Sequence, residues 1–103
     1  MSRAEIFSGI CGFTTLVDAH MEGEACALEI QSDCKSVQRL GEALTQVDPM
    51  REISKRGDGP LTWQLSRQFC PHTACPVSSG IIKAVEVAAG LALPADATIK
   101  VSS

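Results

Sequence analysis

The sequence contains no tyrosine, one tryptophan and three phenylalanines, so that aromatic residues make up only 4% of its 103 residues. The hydrophobic fraction is nevertheless 45%, which predicts a core built mainly from aliphatic side chains. A chain of this length fits one domain of ordinary size, and we expect a single domain over residues 1–103. Because so small a domain buries a limited area, a bound metal or a cross-link would add to its stability.

Clustered positive charge is also scarce: Arg51, Lys55 and Arg56 form the only basic cluster, and Glu52 and Asp58 interrupt it. Nine Lys and Arg residues stand against twelve Asp and Glu, for a net charge of −3, whereas nucleic-acid binding needs Lys and Arg grouped to neutralise phosphates. We therefore expect no nucleic-acid partner. No apolar run approaches the length that crosses a bilayer, and the opening residues do not begin a signal peptide. We expect no membrane partner and a cytoplasmic location.

The common catalytic signatures are absent as well. The sequence has no GxGxxG, Walker A, HExxH or GxSxG motif. No pair of carboxylates lies in an apolar setting that suggests acid–base catalysis, and neither histidine lies near a residue that would orient it as the base of a cysteine hydrolase. What the sequence does have is five cysteines. In a reducing cytosol such a set is more often metal-binding or catalytic than a disulfide framework.

Hydrophobic periodicity predicts an α+β fold, with two to three helices on one face of a small antiparallel sheet. Alternating residues predict a first strand from Ile10 to Met21 and a second from Ala25 to Gln31, joined by a turn at Gly23 into an N-terminal hairpin. A C-terminal strand is expected over Ala97–Ser103, with Ile99 and Val101 facing the core.

Spacings of three and four predict the helices. The first follows a cap at Ser32 or Asp33; its apolar stripe is Val37, Leu40, Leu44 and Val47. A second, short helix is expected with Asp48 as its N-cap and Pro49 at its first position, and with Met50 and Ile53 as its apolar contacts. Residues 61–69 are expected to be irregular or a short helix. The last helix follows Pro76 and ends at Gly90; its buried stripe is Val77, Ile81, Ala84, Val85 and Ala88.

Four of the cysteines lie where regular structure is predicted to begin or end. Cys75 precedes Pro76 at the start of the last helix, and Cys34 opens the first long helix. Free backbone N–H groups and the helix dipole stabilise a thiolate at such positions. Cys70 lies five residues before Cys75, and Cys11 lies at the edge of the first predicted strand, beside a glycine.

The remaining cysteine and the histidines have other roles. Cys26 shares a strand face with Leu28 and Ile30, so we interpret it as a small buried hydrophobic residue. His72 lies inside the Cys70–Cys75 loop and is a further candidate ligand, although loop histidines are mostly solvated. His20, near the hairpin turn, is expected to be exposed.

Two functional hypotheses follow from the thiols, and a third involves no chemistry. In the first, Cys11, Cys34, Cys70 and Cys75 bind one Zn²⁺ or a small iron–sulfur cluster, since four thiolates suit both. In the second, the protein is a thiol redox or sulfur-handling enzyme with Cys75 as nucleophile and Cys70 as resolving thiol. In the third, the cysteines only pack in a structural protein.

Three segments carry a family resemblance: Cys11-Gly12-Phe13, Ser32-Asp33-Cys34 and Cys70-x4-Cys75-Pro76-Val77-Ser78-Ser79-Gly80-Ile81. They resemble an uncharacterised family of small four-cysteine bacterial and archaeal proteins over most of the chain, a resemblance that implies no activity. The chain is also similar to iron–sulfur cluster scaffold proteins of the NifU and IscU type. That similarity would match Cys11, Cys34 and either Cys70 or Cys75 to the scaffold cysteines, and it favours a metal or cluster over a disulfide.

Overall fold

One antiparallel sheet, with strands in the order β1-β2-β3-β4, forms the centre of the computed structural model, which describes residues 1–103. The strands are β1 (Ser2–Phe7), β2 (Thr14–Glu22), β3 (Ala25–Ser32) and β4 (Gln46–Val47). The helices are α1 (Lys35–Ala43), α2 (Pro49–Glu52), α3 (Leu61–Phe69) and α4 (Val77–Ala88). The predicted α+β class is confirmed. None of these helices is long and apolar enough to cross a bilayer.

The predicted hairpin is present as β2 and β3. Its turn contains Gly23 with a φ of 65°, a left-handed conformation that glycine adopts without a steric penalty. Thr15, Val17 and Ala19 are fully buried on one face of β2, as the alternation indicates. The first strand was predicted to begin at Ile10, but β2 begins at Thr14, because residues 8–13 form the loop that joins it to β1.

The predicted strand at the C-terminal end of the chain was wrong, and a strand at the N-terminal end was not predicted. Residues 2–7, for which no strand was predicted, form β1 and pair with β2 from Ser2↔Ala19 to Phe7↔Thr14. Residues 97–103, predicted as a strand, have no regular structure, and Ile99 and Val101 are 81% and 90% exposed. Alternation marks both segments equally, but only β1 finds a neighbouring strand.

Two helices cover the same face of the sheet. α4 lies on β1 and β2 and α1 lies on β3, and Gly80 brings α4 close enough to β1 that a β-carbon there would clash with Ile6. The opposite face is solvated and carries the Arg3–Asp18 ion pair and a hydrogen-bond contact between His20 and Glu22. The core between sheet and helices is aliphatic, as predicted: Ile6, Val17, Ala19, Cys26, Leu28, Val37, Leu40, Leu44, Val47, Val77, Ile81, Ala84 and Val85.

The short helix α2 is capped as expected, since the Asp48 carboxylate accepts a hydrogen bond from the Met50 amide at 3.1 Å. Its predicted apolar contacts were wrong, because Met50 and Ile53 are 63% and 43% exposed. The buried residues of α2 are instead Pro49 and Glu52. With only four residues, α2 is too short for periodicity to identify its inner face.

The buried Glu52 carboxylate caps the first turn of α3. It accepts hydrogen bonds from the amides of Leu61, at 2.8 Å, and Thr62, at 3.1 Å, and from the Thr62 hydroxyl. Free amides at a helix start need such acceptors, and Pro60 before α3 has no side-chain oxygen to supply one. The ambiguous residues 61–69 therefore form a regular helix.

The ends of the two long helices also differ in part from expectation. α1 is preceded by Cys34 itself at the N-cap, with no side-chain cap, and Val47 belongs to β4 rather than to the stripe of α1. α4 ends as predicted at Gly90, whose φ is 73°. The amides of Gly90 and Leu91 donate to the carbonyls of Val87 and Glu86, the pattern of a Schellman motif.

Candidate functional site

Strand direction brings Cys11 and Cys34 to one end of the sheet. In the pairing register, Phe7 lies opposite Thr14 and Thr15 lies opposite Ser32, so the β1–β2 loop and the end of β3 emerge side by side. Cys11 lies in that loop and Cys34 follows β3 by two residues. We call this end of the sheet the thiol end. Cys11 was expected at a strand edge but lies within the loop, where it is exposed.

The orientation of α4 adds Cys70 and Cys75 to the thiol end. Gly80, near the start of α4, approaches Ile6, whereas Ala84, a turn later, accepts a hydrogen bond from the Ser2 hydroxyl at 2.6 Å. α4 therefore starts at the thiol end and runs toward the beginning of β1. Cys75 stands just before that start, and Cys70 caps the end of α3.

Cys26 lies at the other end of the sheet. It pairs with Met21 and Val47 near the hairpin turn, and its side chain is fully buried. The prediction that Cys26 is a buried hydrophobic residue is confirmed. Burial raises the pKa of its thiol, which keeps it protonated and unreactive.

Hydrogen bonds from three residues fix the backbone at Cys34. The Ser32 hydroxyl accepts from the Cys34 amide at 3.1 Å and from the Thr15 hydroxyl at 2.9 Å. The Gln38 side-chain amide donates to the Ser32 carbonyl at 2.8 Å. Ser32 is thus the residue that positions the thiol, through a hydrogen bond to the Cys34 backbone rather than as the N-cap.

Cys34, Cys70 and Cys75 are half-buried, and Cys70 lies near enough to the other two for their charge to act on its thiol. Burial is the largest of the effects that raise the pKa of Cys70, and negative charge on Cys75 and then on Cys34 raises this pKa further. The positive charge of Arg39, on α1, acts in the opposite direction. All three thiols are free and pack against the edge of the core. The fold therefore brings Cys34 to the same end of the sheet as the loop that carries Cys70 and Cys75.

A cleft of about 340 Å³ opens beside two of these thiols. Cys70 and Cys75 line it together with Trp63, Ser66 and Arg67. The Ser66 hydroxyl oxygen is buried and makes no hydrogen bond within the protein, an exception among buried polar groups. A larger concavity, of about 450 Å³, lies elsewhere and has no thiol in its lining, so the smaller cleft is the one with reactive side chains.

The two histidines are the remaining candidate ligands, and both are exposed. His72 lines the cleft and is exposed, and His20 is exposed on β2, as expected, where it contacts Glu22 at 2.9 Å. No group of three or more His, Cys, Asp or Glu side chains stands close enough to hold a metal ion. The donor chemistry suits a soft cation, but ligation would require the loops that carry these thiols to move closer together.

The match to a protein family spans this whole arrangement. A family of unknown function, DUF6951, matches residues 2–101, from the first residue of β1 to Val101. The chain belongs to DUF6951. This confirms the resemblance to an uncharacterised family, and DUF6951 brings no activity with it. No curated protein and no solved structure matches the chain.

Sequence reasoning found the thiols but missed the residues around them. Arg39 and Ser66 each lie in a helix whose pattern gives them no special status, and only the packing of α3 against both α1 and α4 brings them to the site. The one available signal for Ser66 is its position four residues before Cys70, one helical turn away.

Proposed function

We propose that the protein binds a thiophilic metal ion or a small iron–sulfur cluster at the thiol end, through Cys34, Cys70 and Cys75. The observation that carries the proposal is the position of these three free, half-buried cysteines at helix ends on one end of the sheet, with Cys34 and Cys75 near enough to Cys70 for their charge to raise its pKa. Thiolates repel one another, so a group of them in a half-buried setting is costly unless a cation or protons compensate. A thiophilic cation would supply that compensation and would bind the thiols as thiolates.

Cys11 is the proposed fourth ligand. Its loop emerges at the same end of the sheet as Cys34, and Gly9 and Gly12 flank Cys11 with φ values of 85° and 75°. Apart from each glycine's chain neighbours, no residue has an atom within 4 Å of where a β-carbon on either glycine would stand, so the loop has room to bring Cys11 toward the other three. Four thiolates would complete a tetrahedral site.

The experiment is titration of the reduced, metal-free protein with Co²⁺ and then Zn²⁺. Co²⁺–thiolate charge-transfer absorption should appear and grow with the number of bound sulfurs, and Zn²⁺ should displace it. Single Ser variants of Cys34, Cys70 and Cys75 should each weaken binding at least tenfold, the size reported for loss of even an outer-shell partner. Cys26→Ala is the matched control and should bind as the wild type does.

Two results decide against this proposal. The first is absence of metal from protein purified anaerobically, together with absence of Co²⁺–thiolate absorption. The second is binding that survives all three Ser substitutions. Iron and sulfide reconstitution, followed by visible absorption, separates a cluster from a single ion.

The cleft favours thiol exchange as a second candidate function. The Cys75 thiolate would attack one sulfur of a substrate disulfide, forming a mixed disulfide and releasing the first substrate thiolate. The Cys70 thiolate would then attack the Cys75 sulfur, forming a Cys70–Cys75 disulfide and releasing the second thiolate. Because burial keeps the pKa of Cys70 high, Cys70 suits the resolving role better than the attacking one. Trapping of a mixed disulfide by Cys70→Ser, but not by Cys75→Ser, tests this function.

A further inference from the structure

Residues 91–103 form an exposed segment, which we call the tail. Leu93, Ile99 and Val101 are 88%, 81% and 90% exposed. Beyond Leu91, no tail residue makes a hydrogen bond to the rest of the protein. Thr98-Ile99-Lys100-Val101 has the alternation and the β-branched residues typical of a strand. The tail is thus a strand-like sequence without a neighbouring strand.

The free edge of the sheet also lacks a neighbouring strand. β1 is the outermost strand, paired on one side with β2 and on the other with nothing. Exposed edges of this kind present unpaired N–H and C=O groups to any strand that fits. β1 has Ala4 and Ile6 on the face covered by α4, and Arg3 and Glu5 on the solvated face.

We propose that the tail of one chain adds as an antiparallel strand to the free edge of β1 in a second copy, and that the second copy reciprocates. Lys100 placed opposite Glu5 brings Ile99 opposite Ile6 and Val101 opposite Ala4. The two apolar tail residues then fall on the helix-covered face, and the two charges meet on the solvated face. Neither Glu5 nor Lys100 has an ion-pair partner within one chain, so their pairing breaks no existing contact.

The course of the chain favours a second copy over the chain's own β1. Ala84 of α4 contacts Ser2, so the tail leaves the body near the beginning of β1. Antiparallel pairing within the chain would require residues 91–97 to run the length of β1 and then reverse. Residues 93–97 remain exposed instead. Two copies related by a twofold axis place both tails at once without this reversal.

Charge reversal distinguishes pairing between copies from pairing within one chain. In a homodimer of the Glu5→Lys variant, a lysine lies opposite Lys100 in both strand pairings. In a homodimer of the Lys100→Glu variant, two glutamates lie opposite each other in both pairings. Each should weaken the dimer roughly tenfold, as expected for two exposed cross-strand pairs turned from attractive to repulsive. An equimolar mixture of the two variants restores opposite charges in both interfaces, so it should form a heterodimer of wild-type affinity.

Light scattering after size exclusion, over a range of concentrations, measures the assembly. Full-length protein should approach twice the 10.9 kDa chain mass, and deletion of residues 96–103 should return it to a monomer. Lys55→Glu and Glu24→Lys are controls that change the same charges at exposed positions outside the interface and should leave the dimer intact.

Three outcomes overturn the proposal. One is a wild-type protein that stays monomeric at every concentration. Protection of the tail amides from hydrogen exchange in such a monomer would indicate that the tail pairs within its own chain. Another is a dimer that persists after deletion of the tail. The third is a mixture of the two charge variants that associates no better than each variant alone.

Discussion

Glu52 is the residue whose replacement should disturb the fold most for the smallest change in shape. Its side chain is 1% exposed and accepts three hydrogen bonds at the start of α3. In Glu52→Gln, one carboxylate oxygen becomes an NH₂ group, which meets an N–H or O–H donor and cannot accept from it. Hydrogen bonds to charged groups contribute about 1.5–3 kcal/mol each, so we expect the free energy of unfolding to fall by about 2 kcal/mol.

Truncation should be more severe. Glu52→Ala leaves the amides of Leu61 and Thr62 without acceptors, and each buried, unpaired N–H costs about 1–3 kcal/mol. We expect a loss of about 3–5 kcal/mol, a large share of the roughly 5–15 kcal/mol that stabilises an ordinary domain. Glu52→Gln is therefore the variant to measure, and Glu52→Ala is the limiting case.

Urea denaturation followed by tryptophan fluorescence suits this experiment, because the only tryptophan, Trp63, adjoins the capped turn. Glu42→Gln is the matched control, since Glu42 is exposed on α1 and makes no hydrogen bond. Because α3 ends at Cys70, alkylation of Cys70 should also accelerate in Glu52→Gln. A stability within about 0.5 kcal/mol of wild type, the range of ordinary surface substitutions, would refute the capping role.

Three further predictions concern the packing of the core and the ionisation of Cys70. Gly80→Ala should lower the free energy of unfolding in urea by about 1–2 kcal/mol, because overpacking against β1 exceeds the gain of about 1 kcal/mol in helix propensity. Gly41→Ala is the control and should be nearly neutral, since an added β-carbon there would have its nearest contacts at 3.2 and 3.3 Å. Equal effects of the two substitutions would contradict this prediction. The raised pKa of Cys70 should shift its alkylation midpoint above about 8.5, the ordinary thiol value, and replacing the neighbouring thiols should lower it. A raised pKa means that the native state holds the Cys70 proton more tightly than the unfolded state does. The resulting contribution to stability is present below the unfolded-state pKa and is lost as pH rises through the folded-state pKa. A free energy of unfolding that rises over that range would contradict the assignment. Cys26→Ala should cost about 1 kcal/mol, as for a small core truncation, and any accompanying loss of metal or thiol reactivity would reverse its assignment to the core.

Periodicity in the sequence was enough to predict the hairpin and the two amphipathic helices, because a buried face repeats every second residue in a strand and every three to four in a helix. Asp48-Pro49 and Gly90 were correctly identified as helix boundaries for the same local reason: they act through their own backbone and side chain. Cys34 and Cys75 were likewise predicted at helix starts and lie there, whereas the place of Cys70 at the end of α3 became evident only in the structure.

Only the tertiary structure decided which strand-like segment joins the sheet. Apolar and polar residues alternate in both β1 and the tail, but strand pairing depends on a neighbour from elsewhere in the chain. β1 pairs with β2, whereas the tail has no neighbouring strand. The burial of Glu52 also depends on a distant contact, since its partners lie nine and ten residues further along. Likewise, each thiol is placed locally by its own helix end, whereas their grouping at one end of the sheet arises because α4 packs antiparallel to β1, a relation that no local pattern contains.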